Sequence, residues 1–189
     1  MQQQSRARTY VVYLGLGSSL GDRATNLQNA VNGMHNQSDG ACIAIEAVSQ
    51  VYESPHMGLA FTDSETYPAH LNAVIRISTN LEPELLLNAI HNVEQLGGRE
   101  RTLHWGPRTI DIDILLIDDM VIDTARLTVP HPGILHRPFV LLPLADVAPK
   151  IWLASGETVE SAVQRIMTER PIIRRTADAI SNPGMAGRM

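Results

Sequence analysis

Two helix-like segments, each flanked by strand-like segments, limit the folds open to this chain of 189 residues. Apolar residues at spacings of three and four predict one helix that begins near residue 22 and another over residues 82–96. Short β-rich apolar runs predict four strands, at residues 10–16, 41–52, 71–77 and 110–117. The resulting β-α-β-β-α-β order predicts the α+β class with a ferredoxin-like core, in which both helices cover one face of the sheet. The other face is then free for a ligand or for added helices.

The rest of the chain predicts additions to this core rather than a second domain. A short extra strand at residues 120–122, a proline-rich stretch at residues 129–143 and a helix at residues 159–167 would complete a three-layer α/β/α arrangement. Residues 171–189 are polar and contain Pro and Gly, which is typical of a flexible terminus. We therefore expect one domain over residues 1–170, followed by a flexible tail.

The composition excludes several classes of function. The formal net charge is −5 and 4% of residues are aromatic, which argues against a nucleic-acid surface, because such surfaces need clustered Lys and Arg and stacking aromatics. The single cysteine, Cys42, excludes an intramolecular disulfide and a cysteine-rich zinc site. No window reaches the roughly 18–20 apolar residues of a membrane-spanning helix, and the first apolar run fits a strand better than a signal peptide. We expect a cytoplasmic monomer without nucleic-acid or membrane partners.

The glycine-rich segment at residues 15–21 leaves two interpretations open. It has the spacing G-x-G-x-x-x-G, which matches neither the G-x-G-x-x-G of a dinucleotide site nor the Gly-Lys-Ser/Thr of a P-loop. It is either a turn that needs glycine dihedral angles or a weak phosphate cradle. The turn is favoured, because glycine adopts such angles without steric cost.

Two aspartates in the last predicted strand of the core indicate a metal site. Asp111 and Asp113 are separated by one residue, so a strand directs both carboxylates to one face, about 6.6–6.8 Å apart. They could simply form the wet face of a half-buried strand. However, the two like charges repel each other, and residues 110–122 contain no basic residue. Carboxylate oxygens with this spacing suit Mg²⁺ when substrate phosphates complete its coordination shell.

Basic residues lie on both sides of this acidic pair. Three arginines precede it within ten residues, namely Arg99, Arg101 and Arg108, and more cations follow within residues 131–137. A solvated basic loop is the alternative, but guanidinium groups bind phosphate oxygens bidentately. Arginines beside paired aspartates therefore favour Mg²⁺-assisted phosphoryl transfer. The overall negative charge does not exclude an anionic ligand, because residues 97–108 hold three arginines and one glutamate, a local charge of +2.

These motifs resemble the 6-hydroxymethyl-7,8-dihydropterin pyrophosphokinase family of folate biosynthesis. The most specific is Trp-Gly-Pro-Arg-Thr-Ile-Asp-Ile-Asp at residues 105–113. It is supported by Arg-Glu-Arg at 99–101, Leu-Thr-Val-Pro-His at 127–131, Arg-Pro-Phe at 137–139, and the spacing at 13–18, 52–55 and 71–74. The resemblance implies that the domain is catalytic and transfers pyrophosphate from ATP to the pterin hydroxymethyl group, giving the pterin diphosphate and AMP. The alternative is an inactive or repurposed relative that binds pterin or nucleotide without turnover.

The resemblance also implies roles for individual residues. Asp111 and Asp113 would hold two Mg²⁺ ions that bridge the ATP phosphates, and Arg99 and Arg101, the other catalytic residues, would close over the β- and γ-phosphates. The remaining ATP-binding residues would be His91, Glu94, Trp105, Arg108, Ile114, Arg126, Thr128, His131 and Arg137. The pterin-binding residues would be Ser54, Pro55, Met57, His70, Asn72 and Phe139.

Two positions depart from the pattern of the family. His70 stands where a Tyr or Phe would stack on the second pterin face, and Phe139 would cover the first. Since an imidazole stacks more weakly, we expect a lower pterin affinity. Ser19 stands where Asn is usual after Gly-Ser, so the contact that an Asn side chain would make there is not expected in this chain.

Overall fold

A computed structural model describes residues 8–35, 43–55, 68–98, 107–169 and 171–185 of the chain. Its strands are β1 (Tyr10–Ser18), β2 (Ile43–Val48), β3 (Tyr52–Ser54), β4 (His70–Thr79), β5 (Asp111–Ile117), β6 (Ile122–Asp123), β7 (Thr128–Val129) and β8 (Arg174–Arg175). Its helices are α1 (Arg23–His35), α2 (Pro83–Leu96), α3 (Pro138–Val147) and α4 (Val159–Met167), with short 3₁₀ turns at Ile134–His136 and Pro183–Met185. No helix in these ranges is long and apolar enough to cross a membrane.

The main sheet confirms the ferredoxin-like α+β core. β5, β1, β4, β3 and β8 lie side by side in that order, and β2 also pairs with β4. All of these pairings are antiparallel. β6 and β7 form a separate two-stranded sheet, so the predicted extra strand at residues 120–122 begins and ends slightly later than expected.

The predicted strand at residues 41–52 is divided in two. Ser49 causes the division, because its backbone N–H donates to the Val74 carbonyl over 2.9 Å and its Oγ accepts the Val74 N–H over 2.8 Å. A side-chain oxygen thus takes the place of a backbone acceptor in the ladder, and the chain resumes pairing only at Tyr52. Residues 41 and 42, including Cys42, lie outside the described ranges.

Side chains alternate along the strands and divide the interior into two cores. Leu14 and Ile75 are fully buried against α1 and α2 on the first face. Tyr13 and Leu116 point to the second face, where α3 and α4 cover them. Burying each large aliphatic side chain stabilises the fold by about 1.5–3 kcal/mol. Helices on both faces give the three-layer α/β/α arrangement that the sequence predicts.

Helix α3 begins within the proline-rich stretch at residues 129–143, for which the sequence pattern predicts no helix. Pro138 occupies its first turn, where the missing N–H costs nothing, but Pro143 lies inside the helix. The helix forms because its buried Val140, Leu141 and Leu144 close the second core. Packing therefore overrides the low helix propensity of this segment.

The described part of the tail, residues 171–185, differs from the flexible terminus that its composition suggests. β8 extends the sheet beside β3, and Ile180, 9% exposed, packs into the first core. The Ser181 N–H donates to Gln28 Oε1 over 2.7 Å, and Asn182 Nδ2 donates to the Ile45 carbonyl over 2.8 Å. Backbone pairing and polar side chains hold this segment in place. These contacts leave no periodic apolar pattern in the sequence, which is why composition alone suggests a flexible terminus.

Candidate active site

The second face of the sheet carries a cavity of about 540 Å³ beside the start of α3. It is lined by strands β1, β4 and β5, by the end of β3 and by the segment that leads into α3. The predicted site residues that it brings together are Ser54, Pro55, His70, Asn72, Arg108, Asp111, Asp113, His131, Arg137 and Phe139. Residues that the resemblance assigns to ATP and residues that it assigns to the pterin thus line the same cavity, although they are far apart in sequence.

Two glycines of β1 leave the floor of the cavity open. Gly15 and Gly17 alternate with the buried Leu14 and Leu16, so their missing side chains would point into the cavity. A Cβ on Gly15 would lie 3.3 Å from Leu115 Cδ2. The favoured interpretation of a turn therefore applies only to the end of the segment, where Gly21 has φ of +64°; the first two glycines belong to a strand.

Asp111 and Asp113 both line the cavity, as their spacing predicts. Arg108 Nη1 donates to Asp111 Oδ1 over 2.6 Å. The side chain of Asp113 is 46% exposed, and its Oδ2 lies 4.0 Å from His131 Nε2. Partial desolvation and the charge of Asp111 raise the pKa of Asp113. A cation near this pair would relieve that repulsion.

A bulge in β5 places His131 next to the acidic pair. The register between β1 and β5 shifts at Tyr13, so that Leu115 becomes an extra residue. The Leu115 carbonyl accepts the His131 N–H over 2.9 Å. The His131 ring accepts the Gly133 N–H on Nδ1 over 3.0 Å, which leaves Nε2 facing Asp113. Burial lowers the pKa of His131 and outweighs the opposite effect of Asp113, which favours a neutral ring with a proton on Nε2.

Ser19 fixes the position of Arg108. Its backbone N–H donates to the Arg108 carbonyl and its Oγ accepts the Arg108 N–H, each over 2.9 Å. This contact could not be predicted from the sequence, because Ser19 and Arg108 lie 89 residues apart. The adjacency of Ser19 to the glycine-rich strand is a local signal that points to the site.

A second part of the cavity, which we call the slot, is lined by Ser54, His70, Asn72 and Phe139. Asn72, buried in β4, donates from Nδ2 to Ser54 Oγ over 3.0 Å. Ser54 and His70 are opposite each other in the β3–β4 ladder. Phe139 reaches the same cavity from α3, with Arg137 Cζ 6.0 Å from its ring centre. The slot offers an aromatic ring, an imidazole and an amide, which suits a flat heterocycle with hydrogen-bonding edges.

The donor set of the cavity fits Mg²⁺. In the described ranges, no cluster of three or more His, Cys, Asp or Glu side chains could hold a metal by itself. Asp111 and Asp113 would therefore need further oxygen ligands. Mg²⁺ is commonly bound by one or two carboxylates together with substrate phosphates, and Arg108, His131 and Arg137 provide donors for such phosphates.

Several predicted ATP-binding residues do not line this cavity. They are His91, Glu94, Ile114, Arg126 and Thr128, which lie on α2, on β5 and around β7. Glu94 is 2% exposed and accepts the Ile112 N–H over 2.9 Å, so it anchors the strand that carries both aspartates. Arg126 donates to Glu84 Oε2 over 2.7 Å on the surface. Ile114 belongs to the first core.

Four predicted site residues lie outside the described ranges, namely Met57, Arg99, Arg101 and Trp105. Their roles stay predictions. Of the described residues of the basic loop, Arg108 lines the cavity. It lies three residues before Asp111, where β5 begins.

Known proteins are similar to this chain over most of its length. A family model described as 7,8-dihydro-6-hydroxymethylpterin-pyrophosphokinase (HPPK) matches residues 13–149. The 2-amino-4-hydroxy-6-hydroxymethyldihydropteridine pyrophosphokinase of Bacillus subtilis (strain 168) is 38% identical over 156 residues, covering 82% of this chain and 89% of the relative. The protein of the same name from Pseudomonas aeruginosa is 40% identical over 145 residues, covering 77% of this chain and 85% of the relative.

Solved structures support the fold. A crystal structure of wild-type Plasmodium falciparum HPPK-DHPS with SDX-DHP aligns with a TM-score of 0.64 over 88% of this chain, at 14% identity. This chain spans 46% of that longer protein, so the likeness concerns the fold of the matched part. The family model, in contrast, extends from β1 to the end of α3 and includes every strand that lines the cavity. The chain therefore belongs to the 7,8-dihydro-6-hydroxymethylpterin-pyrophosphokinase family.

Proposed function

We propose that this protein transfers pyrophosphate from ATP to the hydroxymethyl group of 6-hydroxymethyl-7,8-dihydropterin in the cavity between β5 and α3. Its family membership makes it an ATP-dependent pyrophosphokinase of folate biosynthesis. The observation that carries the assignment to this cavity is that Asp111 and Asp113 face the same space as Asn72 and Phe139. The alternative, a relative that binds without turnover, gains no support, since the acidic pair, the cations and the slot are all present.

At the phosphate end, Asp111 and Asp113 would hold Mg²⁺, as two ions in our proposal. Bound Mg²⁺ would neutralise negative charge on the phosphate oxygens. Arg108, His131 and Arg137 would orient the same oxygens through charged or polar N–H donors. Arg99 and Arg101 would complete this set of donors from the loop that precedes Arg108.

At the pterin end, Phe139 and His70 would face the two sides of the ring. Asn72 would hydrogen-bond the ring edge, and its contact with Ser54 holds the amide in place. Main-chain groups of Pro55 and Met57 would add to this edge. The hydroxymethyl group would then point along the cavity towards the acidic pair.

The transfer needs correct positioning more than covalent chemistry. The pterin hydroxyl oxygen bonds to the β-phosphorus of ATP, the bond from that phosphorus to the oxygen of the α-phosphate breaks, and AMP leaves as the hydroxyl proton is released. Arg108, His131 and Arg137 oppose the negative charge that develops on the phosphate oxygens. Closure of the basic loop, which carries Arg99 and Arg101, would exclude water that otherwise hydrolyses ATP.

We propose that the adenosine extends from the cavity towards α2. The predicted residues that do not line the cavity lie on α2, on β5 and around β7, namely His91, Glu94, Ile114, Arg126 and Thr128. Arg126 donates to Glu84 of α2 over 2.7 Å. Trp105 would join them from the basic loop. A monomeric state and a cytoplasmic location stay predictions from the sequence.

The nature of the nucleotide product tests this function. The full chain is incubated with ATP, MgCl₂ and 6-hydroxymethyl-7,8-dihydropterin, and the nucleotides are separated by ion-exchange chromatography. We expect AMP and pterin diphosphate in equal amounts, and no AMP when EDTA exceeds Mg²⁺. ADP as the only nucleotide product would contradict pyrophosphate transfer, and pterin binding without AMP would support the alternative of an inactive relative.

A further inference from the structure

A cluster of three charged residues lies on the side of β3 that faces away from the cavity. Glu53, in the middle of β3, has a side chain that is 13% exposed. Its Oε1 lies 3.0 Å from Nη1 of Arg23, at the start of α1. Its Oε2 accepts a hydrogen bond from Nε of Arg174 in β8 over 2.7 Å, and Arg174 Nη2 contacts the same oxygen. One carboxylate thus joins the first helix to the C-terminal segment.

This cluster also fixes the ends of the two strands that form the slot. Arg23 Nη1 donates to the Ala69 carbonyl over 2.6 Å as well as contacting Glu53. Ala69 directly precedes His70, and Glu53 directly precedes Ser54. Since Ser54 and His70 are paired in the ladder, the Arg23 guanidinium ties both strands together one residue from the side chains that line the slot.

The cluster depends on both arginines. The hydrogen bond from Arg174, followed by that from Arg23, lowers the pKa of Glu53 despite its partial burial. A poorly exposed carboxylate that loses one cation keeps its desolvation cost without the matching attraction. Loss of Arg174 is therefore expected to move the Glu53 side chain, and with it the end of β3.

Arg174 lies outside the part of the chain that matches the family, which ends at residue 149. The contact is therefore a feature of this chain's C-terminal segment and not of the matched core. The opposite face of β3 is fixed separately, because Tyr52 Oη donates to the Asp146 carboxylate of α3 over 3.2 Å. The Glu53 side is held by Arg174, a residue after α4.

We propose that Glu53 and Arg174 are positioning residues that set the pterin-side slot through β3. This inference rests on the proposed function, in which Ser54, His70 and Asn72 bind the pterin. The C-terminal segment would thus control pterin affinity without touching the pterin. ATP binding, at the other end of the cavity, would be largely unaffected.

Arg174→Gln in the full chain tests this proposal, with Arg175→Gln as the matched control. Arg175 is the next residue of β8, carries the same charge and donates from Nε to Gln50 Oε1 over 3.2 Å, away from Glu53. We expect Arg174→Gln to raise the pterin Kd and KM about tenfold, since small displacements of a binding group have effects of this order. The KM for ATP should change no more than in Arg175→Gln. The Tm of Arg174→Gln should fall, because Glu53 keeps its desolvation cost with one cation fewer, so the affinities are measured well below the Tm. Arg174→Lys, which keeps the charge, should restore part of the affinity.

A double-mutant cycle separates positioning from general destabilisation. If Glu53 and Arg174 act as one unit, Glu53→Gln should raise the pterin Kd, and adding Arg174→Gln should have little further effect. Unchanged pterin affinity in Arg174→Gln, or an equal rise in Arg175→Gln, would overturn the proposal. Pterin binding by the wild type without AMP formation would refute the proposed function alone, because the affinity comparison would still stand. A wild type that binds no pterin would refute both.

Discussion

Arg108 Nη1 lies 2.6 Å from Asp111 Oδ1, three residues further along the same chain. The contact compensates the charge of one carboxylate and leaves Asp113 facing the cavity and His131. The backbone of Arg108 is itself bound to Ser19 at the end of β1. The basic loop is therefore joined to the acidic strand at a fixed point, which would position the proposed phosphate and metal ligands before substrate arrives.

Asp113→Asn tests the metal assignment. We expect kcat to fall by about 10²–10³-fold, the usual effect of removing one group that stabilises transition-state charge. The Tm should stay the same or rise, because the change removes repulsion between two like charges on one strand face. Steady-state assays and thermal unfolding measure the two effects. Asp119→Asn, in the exposed turn after β5, should change neither; wild-type turnover in Asp113→Asn would contradict the assignment.

Local patterns predict the core and the acidic pair, but not the contacts between distant segments. The period of two along β5 is enough to put Asp111 and Asp113 on one face, because strand geometry is local. The contact between Arg174 and Glu53 spans 121 residues, and no local pattern indicates it. Helix α3 was missed for a related reason: its apolar residues are stabilised by packing on the second core, against their low helix propensity.

Gly133→Ala tests the role of Arg137. A Cβ at position 133 would lie 2.6 Å from Arg137 Nε, so the guanidinium must leave its present position beside the cavity. We expect kcat/KM for ATP to fall about tenfold, because a displaced phosphate-binding group loses its alignment.

The control for Gly133→Ala is the same change in an Arg137→Ala background. If the glycine acts only by making room for Arg137, it should then have no further effect on kcat/KM. An equal loss in both backgrounds would show that Gly133 acts on the backbone of the segment instead.

The lowered pKa of Glu53 implies that the stability of the protein depends on pH. Hydrogen bonds from Arg174 and Arg23 lower the pKa of this carboxyl in the folded protein. Its stabilising contribution is therefore fully present above the unfolded-state pKa of about 4.3 and is lost as the pH falls through the lower folded-state pKa. The free energy of unfolding should fall in Glu53→Gln at pH 7, and its difference from wild type should shrink below about pH 4. Urea unfolding at both pH values measures this, and a difference that is independent of pH would contradict it.

Glu94 distinguishes an anchoring role from a direct role in nucleotide binding. Its carboxylate is almost fully buried and accepts the N–H of Ile112, between the two aspartates of an edge strand. Glu94→Ala leaves that N–H without its acceptor and should lower the free energy of unfolding by about 1–3 kcal/mol. Glu94→Gln keeps an acceptor oxygen, so its stability and its KM for ATP should both stay closer to wild type. If Glu94→Gln instead keeps its stability but loses ATP affinity as strongly as Glu94→Ala, the carboxylate acts on the nucleotide and not through β5.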